Sequence, residues 1–277
     1  MIEAAAAVQG TPIGAGKRVR IAVDTHVHLH PMFDHAQCLN AAITNAEAAG
    51  LANGPVWLLL TESAGVHAFR RLLERPPERW RTELRQERRT LELRHDNGAR
   101  VLVTAGRQVQ LREGLELLVL GTNAEIPDGI ALHEGVARAA AADALPVIPW
   151  GFGKWWGGRG RVLAAFLDSP NGSRILLGDN GGRPSLWPRP APFARVIADG
   201  RRVLPGSDPL PFPGQIDRIA SYGLIVTMDI NGATPFADLR TVLLDPAADL
   251  PVYGRRVGGF TFLRDQVTMQ LIKQRKP

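Results

Sequence analysis

The sequence predicts an α/β protein in which buried strands alternate with helices. Short apolar, β-branched runs recur along the chain, each followed by a stretch of helical composition. Nearly half of the 277 residues are hydrophobic (45%) and 22% are charged, which suffices for one large core. No Pro/Ser-rich linker divides the chain and no internal repeat is present, so residues 19–277 are expected to form a single domain behind an N-terminal tail, residues 1–18.

The first strand is expected at residues 19–23, an apolar run ending in Asp24. Residues 34–50, rich in Ala and Asn, read as a helix closed by Gly50. A second buried strand follows at 55–60 and a helix at 65–73, stopped by Pro76 and Pro77. Arg and Glu alternate from Arg70 to Arg94, which reads as a solvated helical face.

Residues 90–120 differ in texture. Leu91, Leu93, Val101 and Val103 alternate with polar residues, and His95-Asp96-Asn97-Gly98 marks a turn between the two runs. A hairpin is expected there, then strands at 108–111 and 115–120. Strand and helix then alternate: helix 132–143, strand 146–149, helix 161–167, strand 174–177, helix 193–199, strand 202–204, helix 215–222 and strand 224–226. Helices at 236–243 and 260–273 close the chain. Such repetition implies a parallel sheet, either closed into a barrel or open and doubly wound.

The composition also narrows the setting. The lone Cys38 excludes an intrachain disulfide and fits a reducing compartment. The Ala- and Gly-rich start precedes Lys17 and Arg18, the wrong order for a secretory signal, and no run of roughly 18 apolar residues is present. A cytoplasmic protein without membrane association is expected. The formal charge of +6 invites nucleic acid or phosphate as a partner, but the basic excess is spread along the chain and no nucleic-acid module is recognisable. Nucleic acid is therefore not the expected partner, and the oligomeric state is left open.

The strongest chemical signal is Asp24-Thr25-His26-Val27-His28-Leu29. Alternate strand residues face the same way, so His26 and His28 can converge on one ion at a strand's C-terminal end, where barrels place their chemistry. The competing reading is a pair of capping or core histidines; His30 and His35 read as loop residues. Gly206-Ser207-Asp208 follows a late strand, and Asp208 there can bind a metal or accept a proton, or simply open a turn before Pro209, Pro211 and Pro213. The Gly-rich stretch from Gly151 to Arg161 offers backbone N–H groups with Lys154 and Arg159 for an anion, and Trp155 and Trp156 for a ring or for covering the barrel mouth. Leu177-Gly178-Asp179-Asn180-Gly181-Gly182-Arg183 offers the acceptors Asp179 and Asn180 and the guanidinium of Arg183, or a plain Asn-Gly turn.

In order and spacing, these segments resemble the PHP (polymerase and histidinol phosphatase) family. Asp24 to Leu29 is similar to its first metal motif, and Thr61-Glu62-Ser63 occupies the place of its Thr-Asp-His. Gly106-Arg107-Gln108-Val109 with Glu113 to Leu120, Ile126-Pro127-Asp128-Gly129, Val147-Ile148-Pro149-Trp150 and Gly206-Ser207-Asp208 follow the later motifs. The resemblance implies a distorted (β/α)7 TIM-like barrel of PHP type and a metal-binding hydrolase, with phosphate esters as the first substrate class and amides or lactones as the second. The chain departs from the pattern at Glu62-Ser63, Gln108, Trp150 and Leu210, where the family carries further ligands. What survives is His26, His28, Asp208 and Glu62, a set suited to a single Zn²⁺, Mn²⁺ or Fe²⁺ or to none. Asp208 is then the catalytic residue, and Lys154, Arg159, Asp179, Asn180 and Arg183 bind a small anionic substrate. The alternative is a catalytically inactive barrel that binds an anionic ligand or a partner protein.

Overall fold

The computed structural model describes residues 17–274; most of the expected N-terminal tail lies outside the described residues. The chain runs β1 (Val19–Val27), α1 (His35–Ala48), β2 (Val56–Leu60), α2 (Ala68–Glu74), β3 (Trp80–Leu84), β4 (Thr90–His95), β5 (Arg100–Thr104), β6 (Gly106–Gln110) and β7 (Glu116–Leu120). It continues through α3 (Leu132–Ala141), β8 (Leu145–Pro149), α4 (Gly157–Asp168), β9 (Leu176–Asn180), α5 (Ala191–Ala198) and β10 (Val203–Gly206). β11 (Tyr222–Met228), α6 (Pro235–Leu244), β12 (Val252–Gly254) and α7 (Gly259–Gln274) complete it.

The strands form two sheets, ordered β12-β11-β1-β2-β5-β4-β3 and β10-β9-β8-β7-β6. Outside the hairpin expected around residues 90–104, a parallel sheet was expected. Instead β1 pairs antiparallel with β11, and β7 pairs antiparallel with both β6 and β8. Parallel pairing is kept in β1–β2, β8–β9 and β9–β10, each joined through a helix, whereas β7 and β8 pair antiparallel although α3 lies between them.

The sheets face each other across one apolar layer. Ile21, Val23, Trp57 and Leu59 from the first meet Leu118, Leu120, Val147, Leu176 and Leu204 from the second. The alternate residues point outward. Ala22, Leu58 and Leu60 pack with Leu39 and Ala42 of α1, while Val119, Ile148 and Leu177 pack with Val136, Leu163 and Phe193 of α3, α4 and α5.

Two seams join the sheets. At one, Glu62 beyond β2 bridges Arg107 of β6, with Glu62 N donating to Gly106 O (3.0 Å) and Gln108 N to Glu62 O (2.9 Å). At the other, Asp208 N donates to His26 O at 2.9 Å. Both depend on glycine. A Cβ on Gly106 would run into the Leu60 carbonyl, and one on Gly206 into the His26 backbone and side chain.

Two expectations fail locally. The charged stretch around residue 81 is not a helical face but β3, in which exposed Arg81 and Glu83 alternate with more buried Trp80, Thr82 and Leu84. The expected helix at 215–222 is a 3-10 turn, Pro213–Arg218, and β11 already starts at Tyr222.

Candidate metal centre

The site begins with an irregularity in β1. The pairing register with β2 shifts between Asp24 and Val27. Ala22 and Val27, five positions apart, both pack in the outer cluster. Strict alternation would place them on opposite faces, so one extra residue has slipped the strand, as a bulge does. The slip puts His26, like His28, on the face opposite Val27.

Buried Asp24 fixes this slip. Its Oδ1 accepts from His26 N (3.1 Å) and Ser207 N (2.9 Å), and its Oδ2 from Ala220 N (2.9 Å) and the Ser207 hydroxyl. One carboxylate thus ties the end of β1 to the end of β10 and to the segment before β11. Burial pushes its pKa up to about 6, against the opposing pull of these donors.

His26 Nε2 and His28 Nε2 lie 3.1 Å apart, and Asp208 Oδ1 is 3.5 Å from each. All three ligand atoms fall within 4.8 Å of one another. Two ligands about 2.1 Å from a tetrahedral ion stand roughly 3.4 Å apart, so the spacing and the N₂O donor set fit one divalent ion. Burial first, then the neighbouring His26, lowers the His28 pKa to about 3, leaving a neutral imidazole with a lone pair to offer. Burial pushes the Asp208 carboxyl up, but His26, His28 and Asn180 outweigh it and hold it below the ordinary carboxylate range.

Asp208 is held under constraint. Its φ is +47°, in the left-handed region, a conformation that non-glycine residues keep only when their surroundings impose it. Its other oxygen, Oδ2, accepts from Asn180 Nδ2, and Asn180 Oδ1 in turn accepts from Gly182 N at 2.6 Å. Asn180 is therefore a positioning residue for Asp208. His30 donates to or accepts from nothing in the cluster; its Nε2 meets Pro209 O at 2.9 Å, and its ring stacks on His28.

The other expected site residues scatter. Glu62 is drawn away from the cluster: Oε1 accepts from Phe69 N (2.7 Å), and Oε2 pairs with Arg107 Nη1 (3.0 Å). Lys154 and Asn180 do share a small cavity with Asp208, although Lys154 Nζ pairs with Glu116 at 3.0 Å. Arg159 lines neither this cavity nor the larger one described below; it donates to Gly153 O at 2.9 Å and secures its own loop. Asp179 and Arg183 were expected on the rim of His26, and both belong elsewhere. Successive residues of β9 face opposite ways, so Asn180 turns to Asp208 and Asp179 turns to the far side. There Arg183 grips Asp179 through Nε and Nη2 at 2.7 and 2.8 Å.

Three residues at the site carry no recognisable local signal. Arg218 and Asp265 line the cavity with Asp208, 3.7 Å from each other, and Gln215 Nε2 donates to Asp265 at 3.1 Å. Asp265 comes from α7, which lies across the mouth of the cavity with Phe262 and Met269. Only the tertiary fold brings that helix there.

No family model matches the chain, and no curated protein matches it by sequence. Solved structures do. PsfC from Pseudomonas syringae PB-5123 superposes with a TM-score of 0.52 and 14% identity, over 93% of this chain and 98% of that one. The chain is folded like PsfC. A lesion-specific endonuclease from Pyrococcus furiosus, PfuEndoQ, is similar at a TM-score of 0.49 and 13% identity, over 85% of this chain and 57% of that one. An Endonuclease Q complex with a 27-mer duplex substrate bearing an abasic lesion gives 0.40 and 14%, over 75% and 52%. The chain spans little more than half the length of these two. The expectation against nucleic acid is withdrawn, because one chain of this group was solved with a duplex substrate. Among the described residues no helix is long and apolar enough to cross a membrane.

Proposed function

We propose that the protein is a divalent-metal-dependent hydrolase of PHP-like type, with a site reduced to one ion and a phosphate-bearing substrate. The convergence of His26, His28 and Asp208 carries this reading. The two joined sheets support it further. On this reading β1, β2, β6, β7, β8, β9 and β10 would correspond to the seven strands of the family's ring; the support is that the two sheets are bridged at two seams.

An ion of this kind, when bound, supplies Lewis acidity and lowers the pKa of water. The chain's own residues would do the rest. His26, His28 and Asp208 would hold the ion. Asn180 keeps Asp208 turned toward the imidazoles, Arg218 adds positive charge beside it, and Lys154 stands in the same cavity to meet an anion. Zn²⁺, Mn²⁺ and Fe²⁺ all suit two imidazoles and a carboxylate.

The second reading, a ring that binds an anion without turnover, is favoured by the loss of further ligands. Glu62 is committed to Arg107, and Trp150 and Leu210 line the cavity where the family pattern has histidines. The test is hydrolysis of p-nitrophenyl phosphate and bis(p-nitrophenyl) phosphate by protein loaded with Zn²⁺ or Mn²⁺. Turnover lost in His26→Ala and Asp208→Asn supports the hydrolase. Metal uptake with neither ester hydrolysed leaves the binding reading in its place.

A further inference from the structure

A cavity of about 710 Å³ opens on the far side of β9, much larger than the 170 Å³ cavity beside Asp208. Five arginines line it, Arg183, Arg189, Arg201, Arg202 and Arg256, against a single carboxylate, Asp179. Asp179 is committed to Arg183, and Arg201 pairs with Asp199 at 2.8 Å. Among the described residues, Arg189, Arg202 and Arg256 have no carboxylate within ion-pair distance. Arg202 spends its donors on the carbonyls of Asp245 and Pro246 at the end of α6, which leaves its charge uncompensated.

Arg256 carries the second observation. Its Nη1 is buried with no hydrogen-bond acceptor among the described residues, while its Nη2 donates to Ser185 O at 3.3 Å. A buried donor without an acceptor is costly, and the guanidinium that carries it belongs to the cavity lining. Apolar groups share the lining: the half-buried Trp187 indole and exposed Ile197 stand in it, while the buried Phe193 ring lies under the Arg183 guanidinium at 5.7 Å. Cationic donors beside an indole suit an organic phosphate, with oxygens on the guanidinium groups and a planar body against Trp187.

We propose that this cavity is a second ligand site, for a phosphorylated molecule of nucleotide size, independent of the His26 cluster. Calorimetric titration with ATP and with inorganic pyrophosphate, in buffer containing EDTA, tests it. ATP should bind saturably and more tightly than pyrophosphate. The exposed Arg189 and the half-buried Arg256 can be replaced with little demand on the core. Arg189→Ala/Arg256→Ala should weaken ATP by about tenfold or more, the worth of one charge-assisted hydrogen bond. Arg189→Glu alone should act in the same direction, and His26→Ala should leave the affinity unchanged. The proposal is overturned if ATP gives no saturable binding up to about millimolar concentration. It is equally overturned if the arginine variants bind as the parent does, if pyrophosphate binds as tightly as ATP, or if His26→Ala abolishes binding.

Discussion

His26, His28 and Asp208 are each ordinary residues, and their placement makes the chemistry. Replacing His26 by Ala removes one of three ligand atoms that stand 3.1 to 3.5 Å apart. The variant should remain folded yet lose stoichiometric Zn²⁺ after dialysis, read by elemental analysis; full retention of the ion would mean that another set of residues holds it. Asn180→Ala acts at one remove. It should keep some metal but raise its dissociation constant by about 10- to 100-fold, as the loss of a residue that orients a ligand does. Cys38 is a separate case. It is wholly buried, and burial pushes its thiol up to about 12, so it stays protonated at pH 8. It should react with Ellman's reagent only in denaturant; fast labelling of the native protein would place it elsewhere.

At the scale of elements, the ends of β1 and β10 meet only because residue 206 is glycine. Gly206→Ala should lower the thermal midpoint and abolish metal binding together, because the new methyl displaces His26. A stable variant with unchanged metal affinity would refute the close approach. The same elements show what a sequence can reveal. β2 was legible as an uninterrupted apolar run, and β7 and residues 19–23 of β1 as runs broken only by Glu116 and Arg20, since strands covered on both faces need no polar alternation. The His-x-His pair and Asp208 were legible through the strands that precede them. The slip in β1 was not, because a bulge leaves the order of residues untouched. β3 was misread because Arg and Glu on one edge of a strand have the same composition as a solvated helix. The partner of Arg183 was not legible, because sequence names a guanidinium but not what it pairs with, and here Asp179, four residues back, engages it.

At the scale of the molecule, the account depends on two sheets being held at fixed separation. The Glu62–Arg107 pair is buried at the seam between β2 and β6, and Arg107 also reaches the Val66 carbonyl at 3.1 Å. Removing one partner strands a buried charge. Arg107→Ala should therefore cost about 3–5 kcal/mol in urea denaturation, and Glu62→Gln/Arg107→Met distinctly less. Equal losses in the two variants would show that the charge is not the reason. The family pattern assigns position 62 to metal binding, whereas this chain uses Glu62 to join its sheets.

The most direct measurement is anomalous diffraction at the zinc edge from crystals equilibrated with Zn²⁺. The account predicts a single strong peak within bonding distance of His26 Nε2, His28 Nε2 and Asp208 Oδ1. A saturated crystal with no peak there, or with its strongest peak bound by other side chains, would contradict it.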